Sequence, residues 1–96
     1  MLNTIISAIK NKQVLSFSYD NIDRVVEPHT VGMASTGNDL LRCYQTEGGH
    51  ITVGHEWDLC KLSKIKNLSV TGAYFDSARP GYKKGDKAMT HIYAEL

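Results

Sequence analysis

Cysteine and proline are scarce in this chain, and long apolar runs are missing. The sequence contains two cysteines and two prolines. Cys43 and Cys60 fit no metal-knuckle or redox spacing, so we expect two buried thiols in a reducing compartment. No segment approaches the ~20 apolar residues that a bilayer-spanning helix needs, and the N-terminus lacks a secretory pattern. We therefore expect a cytoplasmic protein with no membrane partner.

Recognisable catalytic and metal-binding patterns are also missing. We find no nucleophile beside a base, no carboxylate pair in separated environments and no glycine-rich phosphate loop. His50 and His55 are five positions apart, which on a strand directs them to opposite faces, and their neighbours complete no plausible ligand set. The sequence thus predicts neither an enzyme nor a metal or cofactor site.

The size and composition of the chain indicate one domain. Its 96 residues, 42% hydrophobic and 22% charged, are ordinary for a single globular unit, which we expect to cover residues 1–96. A domain this small has a modest core, so association with a second copy is one way to stabilise it. A homo-oligomer is therefore one of the assemblies that the sequence suggests.

Charge is distributed unevenly along the chain, although the net value is only +1. Residues 1–60 hold four Lys/Arg against seven Asp/Glu, whereas residues 61–96 hold seven against three. An anionic partner would therefore meet the C-terminal part. The alternative is a solvated surface of mixed charge.

The first residues have the period of an amphipathic helix. Large aliphatic side chains recur at three- and four-residue spacing, at Leu2, Ile5, Ile6 and Ile9. This spacing places them on one helix face and predicts a helix over residues 3–11, within an N-terminal segment 1–12. Asn3 is the expected N-cap.

Strand patterns fill residues 14–72. Leu15, Phe17 and Tyr19 alternate with serines and are followed by the turn residues Asp20-Asn21, which predicts a first strand and a tight turn. Further extended stretches cover residues 24–31, 40–46, 51–61 and 65–70.

The joins between these stretches indicate how the strands associate. Pro28 cannot donate to a β-ladder, so the second strand should bend or bulge there. The turn cluster at residues 35–39 predicts a hairpin between the second and third strands. Five short strands at this spacing favour a small SH3-like or Sm-like barrel, so the predicted fold class is mainly β with terminal helices (α+β).

The composition changes after Tyr74. Pro80-Gly81 marks a turn, and Asp86 is placed as the N-cap of a helix. One face of that helix would be apolar and would consist of Met89, Ile92, Tyr93 and Leu96. Residues 73–96 are therefore expected to form a basic tail and a short C-terminal helix.

The order of these features resembles the WYL domain. Leu15-Ser16-Phe17-Ser18-Tyr19 is similar to the family's L-x-F-x-Y strand, and Arg24-Val25-Val26-Glu27-Pro28 to its R-x-V-x-P segment. Leu41-Arg42-Cys43-Tyr44 then precedes a Trp-led strand and Ile65, so the similarity covers roughly residues 5–75. The chain resembles in particular the short, stand-alone WYL-like proteins of bacteria and phages, which share a tail like Arg79-Pro80-Gly81-Tyr82-Lys83-Lys84-Gly85-Asp86.

The resemblance implies a domain that senses nucleic acids or nucleotides. The basic residues that would meet such a ligand on or beside strands are Arg24, Arg42, Lys61 and Lys64. The alternative for Arg24 is a charge at the end of a hairpin, and for the two lysines it is a solvated surface position. Tyr44 lies two positions from Arg42 and so shares its strand face, which would set a stacking ring beside a phosphate-binding guanidinium. Packing of Tyr44 in the core is the alternative, and Trp57 is expected in the core or at an interface.

The tail supplies further candidates. Arg79 and Tyr82 combine a cation and an aromatic ring with flexible glycines, which suits contact with a nucleic-acid backbone or a cyclic nucleotide. A solvated linker is the alternative, and it is favoured for Lys84 and Lys87. The expected function is a non-enzymatic sensor of a nucleotide-like or nucleic-acid ligand; the rival is an interaction or oligomer-forming adaptor with no such ligand.

Overall fold

The computed structural model describes residues 1–49 and 54–96 and shows one helix followed by antiparallel strands. The helix α1 spans Leu2–Lys10, and a single 3-10 turn spans Leu62–Lys64. The strands are β1 Gln13–Tyr19, β2 Ile22–Met33, β3 Asp39–Gly48, β4 Trp57–Lys61, β5 Lys66–Tyr74 and β6 His91–Glu95. The strand start predicted at Ile51 and Val53 lies outside the described residues. No helix in the described residues is both long enough and apolar enough to cross a membrane.

The N-terminal helix confirms the prediction from its aliphatic spacing. Ile5 and Ile9 are buried, and Leu2 and Ile6 pack against the core cluster. The predicted cap is wrong, because the helix begins one residue earlier and Asn3 lies inside its first turn; Met1 occupies the cap position.

Strand β2 organises the sheet, whose order is β4-β3-β2-β1-β5 with β6 also paired to β2. Strand β3 pairs along nearly the whole of β2, so β1 and β6 share its other edge: β1 takes Ile22–Val26 and β6 takes Thr30–Met33. The register of β2 against β3 shifts between Pro28 and Thr30. The predicted irregularity at Pro28 is thus confirmed, at the point where β2 changes neighbours.

The predicted C-terminal helix is wrong. The Asp86 carboxylate does accept a hydrogen bond from the Ala88 N–H, but only a turn follows, closed by the Met89 N–H on the Asp86 carbonyl. The Thr90 N–H then donates to the Met33 carbonyl, and pairing of β6 with β2 begins. The edge of β2 that β1 leaves unpaired can form backbone hydrogen bonds with residues 91–95. These hydrogen bonds stabilise a strand there more than the weak helical pattern stabilises a helix.

The missed strand also changes the architecture. The described residues contain six strands, and within them β4 and β5 each pair with a single neighbour, so the sheet is open at both ends. The closed five-stranded barrel is therefore not seen. The core lies between α1 and the sheet, and it includes Cys43 and Cys60 as free, buried thiols, as predicted.

Candidate functional site

Residues 75–90, here called the tail, join β5 to β6 and lie against β2, β3 and β4. Hydrogen bonds connect them to all three strands and to the last residues of the chain. This placement brings together four of the predicted ligand residues, Arg42, Tyr44, Arg79 and Tyr82. The face of the sheet that carries Arg42 and Tyr44 is thus partly covered by the chain itself.

His29 lies at the centre of these contacts and is fully buried. Its Nδ1 is 2.8 Å from the Glu27 carbonyl oxygen, and its Nε2 accepts a hydrogen bond of 3.1 Å from the Arg79 N–H. Since a carbonyl oxygen can only accept, the proton must be on Nδ1. Burial lowers the pKa of His29 below its ordinary value, so the neutral ring is favoured.

An aromatic cluster surrounds the His29 ring. Its centroid is 4.7 Å from that of Trp57, 5.3 Å from that of Tyr82 and 5.6 Å from that of Phe75, which is nearly parallel to it. The Tyr82 hydroxyl donates to the Leu96 carbonyl at 3.0 Å. Burial raises the pKa of Tyr82, so this phenol stays protonated and ties the tail to the end of β6.

Arg79 fixes the start of the tail. Its guanidinium donates to both oxygens of the buried Glu27 carboxylate, at 2.7 and 2.9 Å. It also lies 4.8 Å from the centroid of the Tyr44 ring, within reach of a cation–π interaction. The guanidinium stacked on Tyr44 is therefore that of Arg79, whereas the expected pair was Tyr44 with Arg42, and the anion that Arg79 holds is the protein's own carboxylate.

Arg42 is paired in the same way further along the tail. Its Nε and Nη2 donate to the two oxygens of Asp86 at 2.8 and 3.3 Å. These hydrogen bonds hold the pKa of Asp86 below its ordinary value. The Arg42 side chain remains 31% exposed, so the guanidinium keeps a surface open to solvent.

A cleft of about 340 Å³ opens beside this ion pair. It lies between Arg42 and Trp57 on the sheet and the tail segment 81–87, here called the tail loop. The Trp57 Nε1–H donates to the Pro80 carbonyl at 3.1 Å, and its ring packs edge-on against Tyr44. The indole is therefore held in place as a wall of the cleft.

The cleft is strongly cationic. Its lining includes one acidic residue, Asp86, and four basic residues: Arg42, Lys83, Lys84 and Lys87. All three lysines are exposed, and within residues 1–49 and 54–96 none of them forms an ion pair. Such a group of uncompensated cations beside an aromatic wall can bind a phosphate next to a planar ring.

The remaining predicted site residues lie elsewhere. Arg24 pairs with Asp58 at 3.3 Å and stacks over Tyr19 at 5.3 Å, so it joins β2 to β4. Lys61 and Lys64 are exposed, on β4 and on the 3-10 turn. None of these three basic residues lines the cleft between the sheet and the tail loop.

Sequence reasoning missed the partners that organise the site. Glu27 is 52 positions from Arg79, and Asp86 is 44 positions from Arg42, so no local pattern connects them. Trp57 was assigned to the core or an interface, whereas it is half-buried and lines the cleft. The lysine-rich run 83–87 was the available signal, but its position opposite an indole depends on the fold.

Comparisons of the chain with protein-family models, with curated proteins and with solved structures found no match.

Proposed function

We propose that this protein is a non-enzymatic binding module for a nucleotide-like or nucleic-acid ligand. The ligand occupies the cleft between Arg42, Trp57 and the tail loop. The lysines of the loop neutralise phosphate, and the indole offers a surface for a base. No covalent bond is made or broken.

The observation that carries this proposal is the uncompensated charge of the cleft. Arg24, Arg42 and Arg79 each have a carboxylate partner, whereas Lys83, Lys84 and Lys87 share one cleft with no partner among the described residues. A bound anion would give these lysines the charged partner that they lack. The cleft volume is at the lower end of the range for small-ligand sites, about 300–1,000 Å³.

We also propose that the chain is a stand-alone WYL-like domain. The first three strands carry the segments that resemble that family, and the cleft lies against the strand of Arg42 and Tyr44. With that assignment we propose that the sheet is an open relative of the SH3-like or Sm-like barrels and that the protein is cytoplasmic. A role in regulation would follow from the sensing of a nucleotide or nucleic acid.

Binding can be tested with two matched variants. Purified protein is titrated, at low and moderate salt, with labelled single-stranded DNA and RNA oligomers, mononucleotides and cyclic dinucleotides. We expect Lys83→Gln/Lys84→Gln to weaken the binding at least about tenfold. The control Lys10→Gln/Lys66→Gln removes the same charge from exposed sites away from the cleft and should bind as the unmodified protein does. Equal loss in both variants, or no binding by the unmodified protein, would refute the proposal.

The exposed apolar residues of β5 favour a second candidate function, that of an oligomer-forming adaptor. Val70 and Tyr74 are 40% and 67% exposed, on a strand with one neighbour in the described residues. Two irregularities in β5 count against this function: Asn67 and Gly72 both have positive φ values, +57° and +90°, and such irregularities interrupt edge-to-edge pairing. Light scattering of the purified protein decides: a salt-insensitive oligomer, lost in Val70→Thr/Tyr74→Thr, would support the adaptor.

A further inference from the structure

The tail is attached to the sheet through a histidine in one protonation state. The Nε2 of His29 accepts the hydrogen bond from Arg79 N–H, and Nδ1 faces the Glu27 carbonyl. A proton added to Nε2 would point a second donor at the Arg79 N–H. The hydrogen bond would then be lost, and two donors would face each other inside a buried cluster.

The surroundings offer little compensation for a charge on His29. The Glu27 carboxylate, which favours the charged ring, already receives two hydrogen bonds from Arg79. The Arg79 guanidinium opposes the charge. On the remaining sides the ring meets Trp57 of β4 and Phe75 and Tyr82 of the tail, and the attraction of these uncharged rings for a cation replaces only part of the hydration that a buried imidazolium loses.

Release of the tail is the least disruptive response to that charge. Residues 76–86 contain no helix or strand, and they are attached by side-chain bonds and by the His29 contact. The sheet itself is held by the pairings of β1 to β6, none of which involves these residues. Local opening of such a segment costs less than global unfolding.

We propose that protonation of His29 releases residues 76–86 of the tail from the sheet, so that this segment is an acid-sensitive cover over Tyr44 and Arg42. When the cover opens, the Tyr44 ring loses the Arg79 guanidinium and Arg42 loses Asp86. Release also carries Lys83 and Lys84 away from Trp57 and so dismantles the cleft that these residues line. The release concerns the protein alone; only its consequence, weaker ligand binding at low pH, rests on the proposed function.

The chain carries its own probe of this release. Trp57 is the single tryptophan, and it contacts both His29 and the Pro80 carbonyl. We would follow its emission and the hydrogen exchange of residues 76–86 from pH 7.5 to 4.5, with exchange corrected for its intrinsic pH dependence. Nitrogen-15 NMR of the imidazole reports the state of His29 in the same samples, and far-UV circular dichroism reports the sheet.

The expected result is a joint transition below pH ~6.5. Before it, NMR shows the proton of His29 on Nδ1; through it, Trp57 emission shifts to the red and exchange of the tail rises at least about tenfold, while the circular dichroism stays constant. In His29→Gln, whose side chain stays neutral, the transition is absent. In His91→Gln, which removes an exposed histidine, it is unchanged.

Three results would overturn the proposal. The first is titration of His29 without a change at Trp57 or in the tail, and the second is loss of the sheet in the same transition. The third is persistence of the transition in His29→Gln. If that variant fails to fold, the NMR titration of the unmodified protein still decides, because it compares His29 and Trp57 in one molecule. No ligand is present, so the outcome is independent of whether the cleft binds nucleotides.

Discussion

Arg79 and Glu27 form a two-point ion pair across the boundary between the tail and the sheet, with N–O distances of 2.7 and 2.9 Å. Glu27 is buried, and its side chain is 8% exposed, while that of Arg79 is 41% exposed. The carboxylate therefore depends on this arginine for compensation of its charge.

Removal of the arginine should destabilise the protein through the carboxylate left behind. We expect Arg79→Ala to lower the free energy of unfolding by about 1–3 kcal/mol, because a buried acceptor loses its donors. Urea denaturation followed by Trp57 fluorescence measures the change. The double variant Glu27→Gln/Arg79→Ala should recover part of the loss, since the uncompensated charge is gone; a double variant less stable than Arg79→Ala would contradict this account.

The Arg42–Asp86 pair should give the protein an acid-dependent component of stability. Hydrogen bonds from Arg42 hold the pKa of Asp86 below its ordinary value. The folded state therefore favours the ionised carboxylate, and the resulting stabilisation is complete above the ordinary pKa and disappears as the pH falls through the lowered one. We expect Asp86→Asn to be less stable than the unmodified protein at pH 7, and the difference to shrink as the pH falls below the ordinary pKa of an aspartate. Urea denaturation at several pH values tests this, and a constant difference would contradict it.

The lysines of the tail loop should determine how binding depends on salt. Each phosphate contact with a single strand contributes about −0.7 to the slope of log K against log salt concentration. If Lys83 and Lys84 each meet a phosphate, Lys83→Gln/Lys84→Gln should flatten the slope by about 1.4. Fluorescence anisotropy with a labelled single strand at four salt concentrations measures it. A slope unchanged from that of the unmodified protein would place the ligand elsewhere.

Gly32 should be intolerant of a side chain because β2 and β6 approach each other there. A Cβ at this position would collide with the His91 carbonyl oxygen and lie 2.9 Å from the Met89 sulfur. We expect Gly32→Ala to lower the free energy of unfolding by about 1–3 kcal/mol through overpacking and to weaken the pairing of β6. In Gly37→Ala a Cβ meets no atom within 4 Å, and the cost comes only from a φ of +88°, so this variant should leave hydrogen exchange of β6 unchanged.

Much of the fold was predictable because its first elements are locally encoded. The aliphatic spacing of Leu2 to Ile9 gave α1, and the alternation of Leu15, Phe17 and Tyr19 gave β1. The turn residues Asp20 and Asn21 both adopt positive φ, as the tight hairpin between β1 and β2 requires. Each of these signals lies within a few residues of the structure that it specifies.

The last strand was not predictable in the same way. Met89, Ile92, Tyr93 and Leu96 have helical spacing, yet β6 forms because β2 leaves an edge free beyond its pairing with β1. The number of strands and the open sheet follow from that long-range pairing. A local pattern holds no information about an edge some 60 residues away.

In the candidate site, too, the residue types were predictable from the sequence and their partners were not. The residue types of a binding face were readable: Arg42 beside Tyr44, and a basic tail with Arg79 and Tyr82. The sequence could not assign their partners, and the structure shows that Arg79 and Arg42 hold Glu27 and Asp86. The uncompensated cations are instead the lysines of the tail loop, two of which sequence reasoning assigned to a linker.

The sequence by itself determined the helix, the first strands and the concentration of positive charge toward the C-terminus, because these depend on spacing and composition along the chain. Tertiary structure decided that the tail folds back over the sheet, that His29 is buried with its proton on Nδ1, and that Trp57 faces the lysines of the tail loop. The physical reason is that compensation of charge and burial of a ring depend on which residues meet in space, and those residues are 28 to 53 positions apart in the chain.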